Sequence, residues 1–276
     1  MIPQFPGCVG VPGPLTQVCT YLGVGALNYT ALWWNAAESG WGMNINHQGT
    51  KLFVTLFTYD ATGAPMWLVG SSVDAQIDGS FTGDLFRVSG PPFDAAPWRA
   101  VTSARVGDIT VQFPTPNTGI VVYSVDGVSV TKSVQKQVFG PLPVCSPTTS
   151  SRAAATNYQD LWWNPNESGW GLNLTHEGSV IFGTLFTYDF SGHDLWLVAP
   201  SLAKQADGSY TGPLYIATGP AFYAQPWTPI HATQVGAMTL RFSSGEFGTL
   251  TYTYGSETVT KAIQRQVFSN AVPMCQ

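Results

Sequence analysis

Only a few ionisable side chains in this chain recur in pairs, and they recur at one spacing. Glu38 and Glu167, His47 and His176, and Lys132 and Lys261 each stand 129 positions apart. Glu38 lies in the loop Asn35-Ala-Ala-Glu38-Ser39, just before a strand-like segment, so Glu38 and Glu167 are the candidates for acid or base work on a glycan or ester. His47 follows nine positions on, at the far end of that segment. At about 3.3 Å per extended residue the two ends lie roughly 25–30 Å apart. That separation excludes a Glu/His pair or shared metal site within one copy. His47 is expected to cap a hairpin turn, and Glu38 to hold its loop. Asp60 and Asp78, with their copies Asp189 and Asp207, precede turn glycines and read as turn formers. There is no nucleophile elbow, Ser/His/Asp set, HExxH motif or phosphate-cradling glycine loop. No metal and no cofactor is expected.

The second set of candidates binds rather than reacts. Trp33, Trp34, Trp67 and Gln135 recur as Trp162, Trp163, Trp196 and Gln264. Indole rings with amides suit a small molecule or glycan pocket. Adjacent strand residues point to opposite faces, so one of Trp33 and Trp34 looks away from the core. The last strand of the first copy has two rows: Thr131, Ser133, Gln135, Gln137 on one face and Val130, Lys132, Val134, Lys136 on the other. If the glutamine row faces a lumen, that lumen binds polar ligands; if it faces solvent, it is only a wet surface.

These residues belong to a duplication. From Tyr29–Phe139 to Tyr158–Phe268 the offset holds without a gap, and 51 of 111 aligned positions are identical. Within the first copy, runs near 40–47, 51–59, 65–75, 80–88, 105–113, 119–125 and 128–139 carry strand residues between turn signals, with another at 29–34. No sustained helical period occurs. The pattern predicts an all-β chain of two tandem antiparallel up-and-down barrels of seven or eight strands, with a β-sandwich as the alternative. One longer connection lies near 90–104. The expected divisions are a Pro/Gly-rich lead (1–27), a first barrel (28–139), a linker (140–157), a second barrel (158–268) and a tail (269–276).

Composition narrows the partners. Charged residues make up 10% of 276, and the net charge is −5. No basic stripe or polybasic cluster serves nucleic acid or an anionic membrane, and no apolar run is long enough for a membrane helix. The oligomeric state is left open. All four cysteines lie outside the repeats, at Cys8, Cys19, Cys145 and Cys275. They read as two disulfides in an oxidising compartment, with each N-terminal cysteine bonded to one that follows a repeat. No signal peptide precedes Met-Ile-Pro, as in a mature chain whose leader has been removed.

The motif Leu161-Trp-Trp-Asn-Pro-Asn-Glu-Ser-Gly-Trp-Gly171, followed by Gly183-Thr-Leu-Phe-Thr-Tyr-Asp189 and Leu195-Trp-Leu-Val198, resembles one found in secreted proteobacterial proteins, often in tandem. The resemblance spans both repeats. It implies a secreted or periplasmic compartment and a repeat architecture, and it carries over no catalytic residues. More weakly, Ser39-Gly40-Trp41 is similar to the Gly-x-Trp start of lipocalin barrels, an analogy that extends to avidin-like barrels. Lys136 and Arg265 would then cover that tryptophan and its copy. Together these features favour a binding module. The alternatives are a structural or adhesive surface protein and a hydrolase using Glu38 and Glu167.

Overall fold

The burial pattern along the strands reports which faces are covered. The strand Thr118–Val125 alternates exposed and buried, the mark of one face on a core and one in water. Lys51–Tyr59 is different. Its inward row Leu52, Val54 and Leu56 is buried, and so is its outward row Thr55, Phe57 and Tyr59. Something must therefore cover the outside of that strand, and it is the other copy of the repeat.

The computed structural model describes residues 27–276. The first barrel comprises β1 (Ala31–Trp34), β2 (Gly42–Gln48), β3 (Lys51–Tyr59), β4 (Pro65–Ala75), β5 (Phe81–Ser89), β6 (Thr102–Thr115), β7 (Thr118–Val125) and β8 (Val128–Lys136). β9 (Cys145–Thr148) follows. The second barrel comprises β10 (Asp160–Trp163), β11 (Gly171–Glu177), β12 (Val180–Tyr188), β13 (Asp194–Lys204), β14 (Tyr210–Thr218), β15 (His231–Phe242), β16 (Phe247–Tyr254) and β17 (Glu257–Arg265), and β18 (Val272–Cys275) ends the chain. Each set of eight closes into an antiparallel barrel in sequence order, with β1 pairing β8 and β10 pairing β17. The up-and-down arrangement predicted by the spacing of turns is therefore observed, and the sandwich is not. Among the described residues the only helical element is a 3-10 turn at Ala36–Glu38, and no helix is long and apolar enough to cross a membrane.

Eight strands leave an interior that side chains can fill. In the first barrel Trp33, Met43, Ile45, Leu56, Ile109 and Tyr123 fill it; in the second, Trp162, Leu172, Leu185, Met238, Leu250 and Tyr252 do. A third apolar core lies between the barrels, built from Phe57, Tyr59 and Trp67 against Phe186, Tyr188 and Trp196.

That interface is reciprocal. Trp67 Nε1 donates to the Thr187 carbonyl at 3.1 Å, and Trp196 Nε1 donates to the Thr58 carbonyl at 2.9 Å. The 90–101 connection of the first copy crosses to the second barrel, where Phe93 packs on Tyr252 and Trp98 donates to the Ser168 carbonyl. Phe222 and Trp227 return the exchange against Tyr123 and the Ser39 carbonyl. Each contact maps onto its copy by the 129-residue offset, so the barrels are related by a pseudo-two-fold axis. Each copy supplies the plug for the other.

The linker and tail depart from expectation. Cys145 bonds Cys275, and β9 pairs β18 around that bridge. The expected bonds from Cys8 and Cys19 to these two cysteines are thus overturned; Cys8 and Cys19 themselves lie outside the described residues. The bridge closes a loop of 130 residues around the second barrel. In the chain-entropy account such a loop contributes about 5 kcal/mol. The linker is docked as well: Arg152 is buried with Asp160, which Arg265 also pairs at 3.0 Å.

Candidate functional site

Glu38 is held on two sides. Its Oε2 accepts from Lys132 Nζ at 2.7 Å and from Trp41 Nε1 at 3.1 Å. Lys132, almost fully buried, lies 5.7 Å from the centroid of the Trp41 ring and 5.2 Å from that of Trp227, which arrives from the second copy. Glu167, Lys261, Trp170 and Trp98 repeat the arrangement, with an ion pair of 2.6 Å. The result is a latch. A lysine from the last strand is clamped between two indoles, paired with a carboxylate, and locked by a loop of the other copy. The sequence marks all four members as kept between copies but does not show that they meet. The residues covering Trp41 and Trp170 are Lys132 and Lys261, and not the expected Lys136 and Arg265, which lie over Trp33 and Trp162 at 5.6 and 5.0 Å. Position along the strand explains the difference: Lys136 stands opposite Trp33 and Arg265 opposite Trp162, whereas Lys132 and Lys261 lie four residues earlier. Lys132 and Val134 turn inward, whereas Thr131, Ser133 and Gln135 are exposed.

His47 and His176 sit at the opposite barrel ends, as the strand length requires. His176 Nδ1 accepts from the Tyr158 amide at 3.0 Å, its ring is stacked on Tyr158, and the Tyr210 hydroxyl lies 3.3 Å from Nε2. Burial pushes its pKa down to about 4, and burial lowers that of His47 as well. Both imidazoles act as packed turn supports.

The expected binding residues are dispersed. Trp33 and Trp162 are fully buried in the barrel cores and cannot meet a ligand there. Gln135 is exposed and Gln264 half-buried, so no glutamine row lines a lumen. Trp34 is half-buried at the outer side of β1. Trp67 and Trp196 form the inter-barrel core. Trp163 and Trp67 do come together, with Trp170, Asn173 and Gln266, on the wall of a groove of about 230 Å³ between the barrels. Of these side chains, Trp163 Nε1 and Gln266 Oε1 are themselves buried and have no protein partner. Each such unpaired group costs about 1–3 kcal/mol. Gln266 is the copy of Gln137, which the sequence places on the glutamine row of a strand running to 139; the strands end earlier, at Lys136 and Arg265, so both glutamines lie just beyond them.

No family model, characterised protein or solved structure matches the chain. The geometry must carry the functional reading by itself. Among the described residues no group of three or more His, Cys, Asp or Glu side chains is arranged to hold a metal ion.

The groove and its copy-related counterpart differ at their centre. Asn173 Oδ1 accepts from Asn46 Nδ2 at 2.5 Å, and its Nδ2 donates to Thr55 Oγ1 at 3.3 Å. The counterpart of Asn46 is Thr175, a shorter side chain. Asn44 Nδ2 and Thr184 Oγ1, the equivalents of the second bond, are left unpaired. The exchange of Asn46 for Thr175 is thus one of the differences that make the seam asymmetric.

Proposed function

We propose that this protein is a secreted or periplasmic binding module that holds a small molecule or glycan in the groove between its barrels. The observation that carries the reading is the groove of about 230 Å³ between the barrels, whose wall joins Trp163 and other apolar side chains to Ser71, Ser103 and Asn173 and holds no charged residue. The disulfide Cys145–Cys275 supports an oxidising compartment.

The second reading, a structural or adhesive surface protein, is favoured by the filled barrel interiors. Its exposed apolar side chains, however, are Ile77, Phe190, Val144 and Val267 rather than the Trp33 and Trp162 loops. The hydrolytic reading requires Glu38 or Glu167 to work from inside the latch. Loss of turnover in Glu167→Gln with the fold intact would support that reading.

Native mass spectrometry of protein secreted through an oxidising compartment tests the main proposal. Excess mass from a copurified molecule, lost in Trp163→Ala, is the expected result. An apo mass, together with tryptophan fluorescence unmoved by a broad ligand library, would refute binding and favour the adhesive reading.

A further inference from the structure

In each copy one buried side chain at the end of a strand grips the segment that leaves a barrel. In the first copy it is Gln48, the last residue of β2. Its Oε1 accepts from the Phe268 and Ser269 amides at 3.0 and 3.3 Å, and its Nε2 donates to the Gln266 carbonyl at 2.9 Å. One amide group thus meets two donors and one acceptor of the C-terminal segment. The matching position, 129 residues on, is Glu177, the last residue of β11 and 2% exposed. Its Oε2 accepts from the Phe139 and Gly140 amides at 2.7 and 2.8 Å. The third contact changes character. Gln137 is held as Gln266 is, each donating its own backbone amide to the copy-related carbonyl of Leu32 or Leu161 at 2.8 Å. The Gln137 carbonyl therefore stands where the Gln266 carbonyl stands, and Gln137 and Glu177 line one small cavity. An ionised carboxylate has only acceptors to offer a carbonyl. A protonated carboxyl has an O–H, and the Gln48 contacts show where that O–H goes.

Burial pushes the pKa of Glu177 up, against the two amides and the Lys136 ammonium, which favour the charged form. Lys136, on β8, is the charged group that acts on it, and its Nζ donates to the Asn28 carbonyl at 3.3 Å. His176, one residue earlier, points to the opposite face of β11, and Lys204 and Arg265 act on that imidazole. His47 lies near Lys136, and burial lowers its pKa. A carboxyl whose folded pKa is raised contributes stability that is fully present below the unfolded value of about 4.3 and is lost as pH rises through the folded value. The grip on Phe139 and Gly140 therefore tightens in acid, opposite in sense to the effect of His176.

We infer that Glu177 is a proton-operated clasp on the chain between the barrels: on protonation its O–H donates to the Gln137 carbonyl and completes the contact that Gln48 makes at every pH with the C-terminal segment. The test is NMR on the full chain between pH 7.5 and 4.0, reading the Glu177 carboxyl carbon and backbone amide exchange. The carboxyl midpoint is expected above the ordinary value of about 4.3. The Phe139 and Gly140 amide shifts follow that midpoint, and the Phe268 and Ser269 shifts stay flat across it. Glu177→Gln carries the donor at every pH. Relative to that variant, the native chain opens at Phe139 and Gly140 about three- to tenfold more at pH 7.5, as one missing neutral hydrogen bond gives. At pH 4.0 the two chains open equally. His176 is present in both, so its own loss of stability in acid cancels in the ratio. Gln48→Glu is expected to transfer the pH dependence to Phe268 and Ser269. A carboxyl midpoint at or below about 4.3 overturns the clasp. So does a ratio that stays the same between pH 7.5 and 4.0, or a Glu177→Gln chain that protects these amides less than the native chain at pH 7.5 or does not fold.

Discussion

At the scale of single residues, the chain places its few charges inside and pairs them. Lys261 is 8% and Glu167 24% exposed at their side chains, so removing one partner strands the other in a poorly solvated place. Lys261→Ala is expected to cost about 3 kcal/mol. In a chain of this size that lowers the melting temperature by about 6–12 °C. A joint Glu167→Gln, Lys261→Met variant recovers part of the loss. An unchanged melt in Lys261→Ala would mean that the latch is ornamental. His176 makes a prediction of the opposite chemical sense. The unfolded imidazole gains its proton near pH 6.5, while the folded one resists until about pH 4. Acid therefore favours the unfolded chain across that window. Stability fully present above pH 6.5 falls as pH drops toward 4, by up to about 3 kcal/mol. Urea midpoints between pH 7.5 and 4.5 should fall more steeply for the native chain than for His176→Gln. Equal slopes would contradict the assignment. The recurrence of Glu38, Lys132, Trp41 and Trp227 at the 129-residue offset was legible in the sequence, but their meeting was not. Glu38 and Lys132 stand 94 positions apart, and the second ring, Trp227, comes from the other copy.

At the scale of elements, the strands were legible because turn glycines and Asp residues punctuate them and a two-residue period runs between. β7 and β8 carry strand residues between turn signals; which row of β8 met water was left open by the sequence, and in the structure both strands have one wet face. The 90–101 connection was visible only as a gap between strands. It has no period because its contacts are with the other barrel, so no local pattern encodes them. Phe93 is 1% exposed, and it belongs to the second core although its sequence lies in the first copy. Phe93→Ala should therefore cost about 3–5 kcal/mol, and the loss should appear across the chain. Amide exchange is expected to accelerate in β15–β17, around Tyr252, more than in β5 and β6, which flank the substitution. Faster exchange confined to the first barrel would contradict the crossed loops.

At the scale of the whole molecule, duplication produced two barrels that are incomplete without each other and a seam that is no longer symmetric. Burial on both faces of β3 and β12 follows from that association. A reading of one repeat has no means of telling an interface from a lumen, and for that reason Trp67 and Gln135 were assigned to one cavity. They lie on the outside of the barrel, Trp67 in the inter-barrel core and Gln135 in solvent. The site that remains is a product of divergence between copies: Asn46 against Thr175, Ser71 against Pro200, Ser103 against Ala232. The decisive measurement is a high-resolution crystal structure of the secreted chain soaked in a panel of monosaccharides and other small molecules. Density for a bound molecule in the groove lined by Trp163, Ser71 and Asn173 is the expected result. An empty groove at saturating ligand would contradict it.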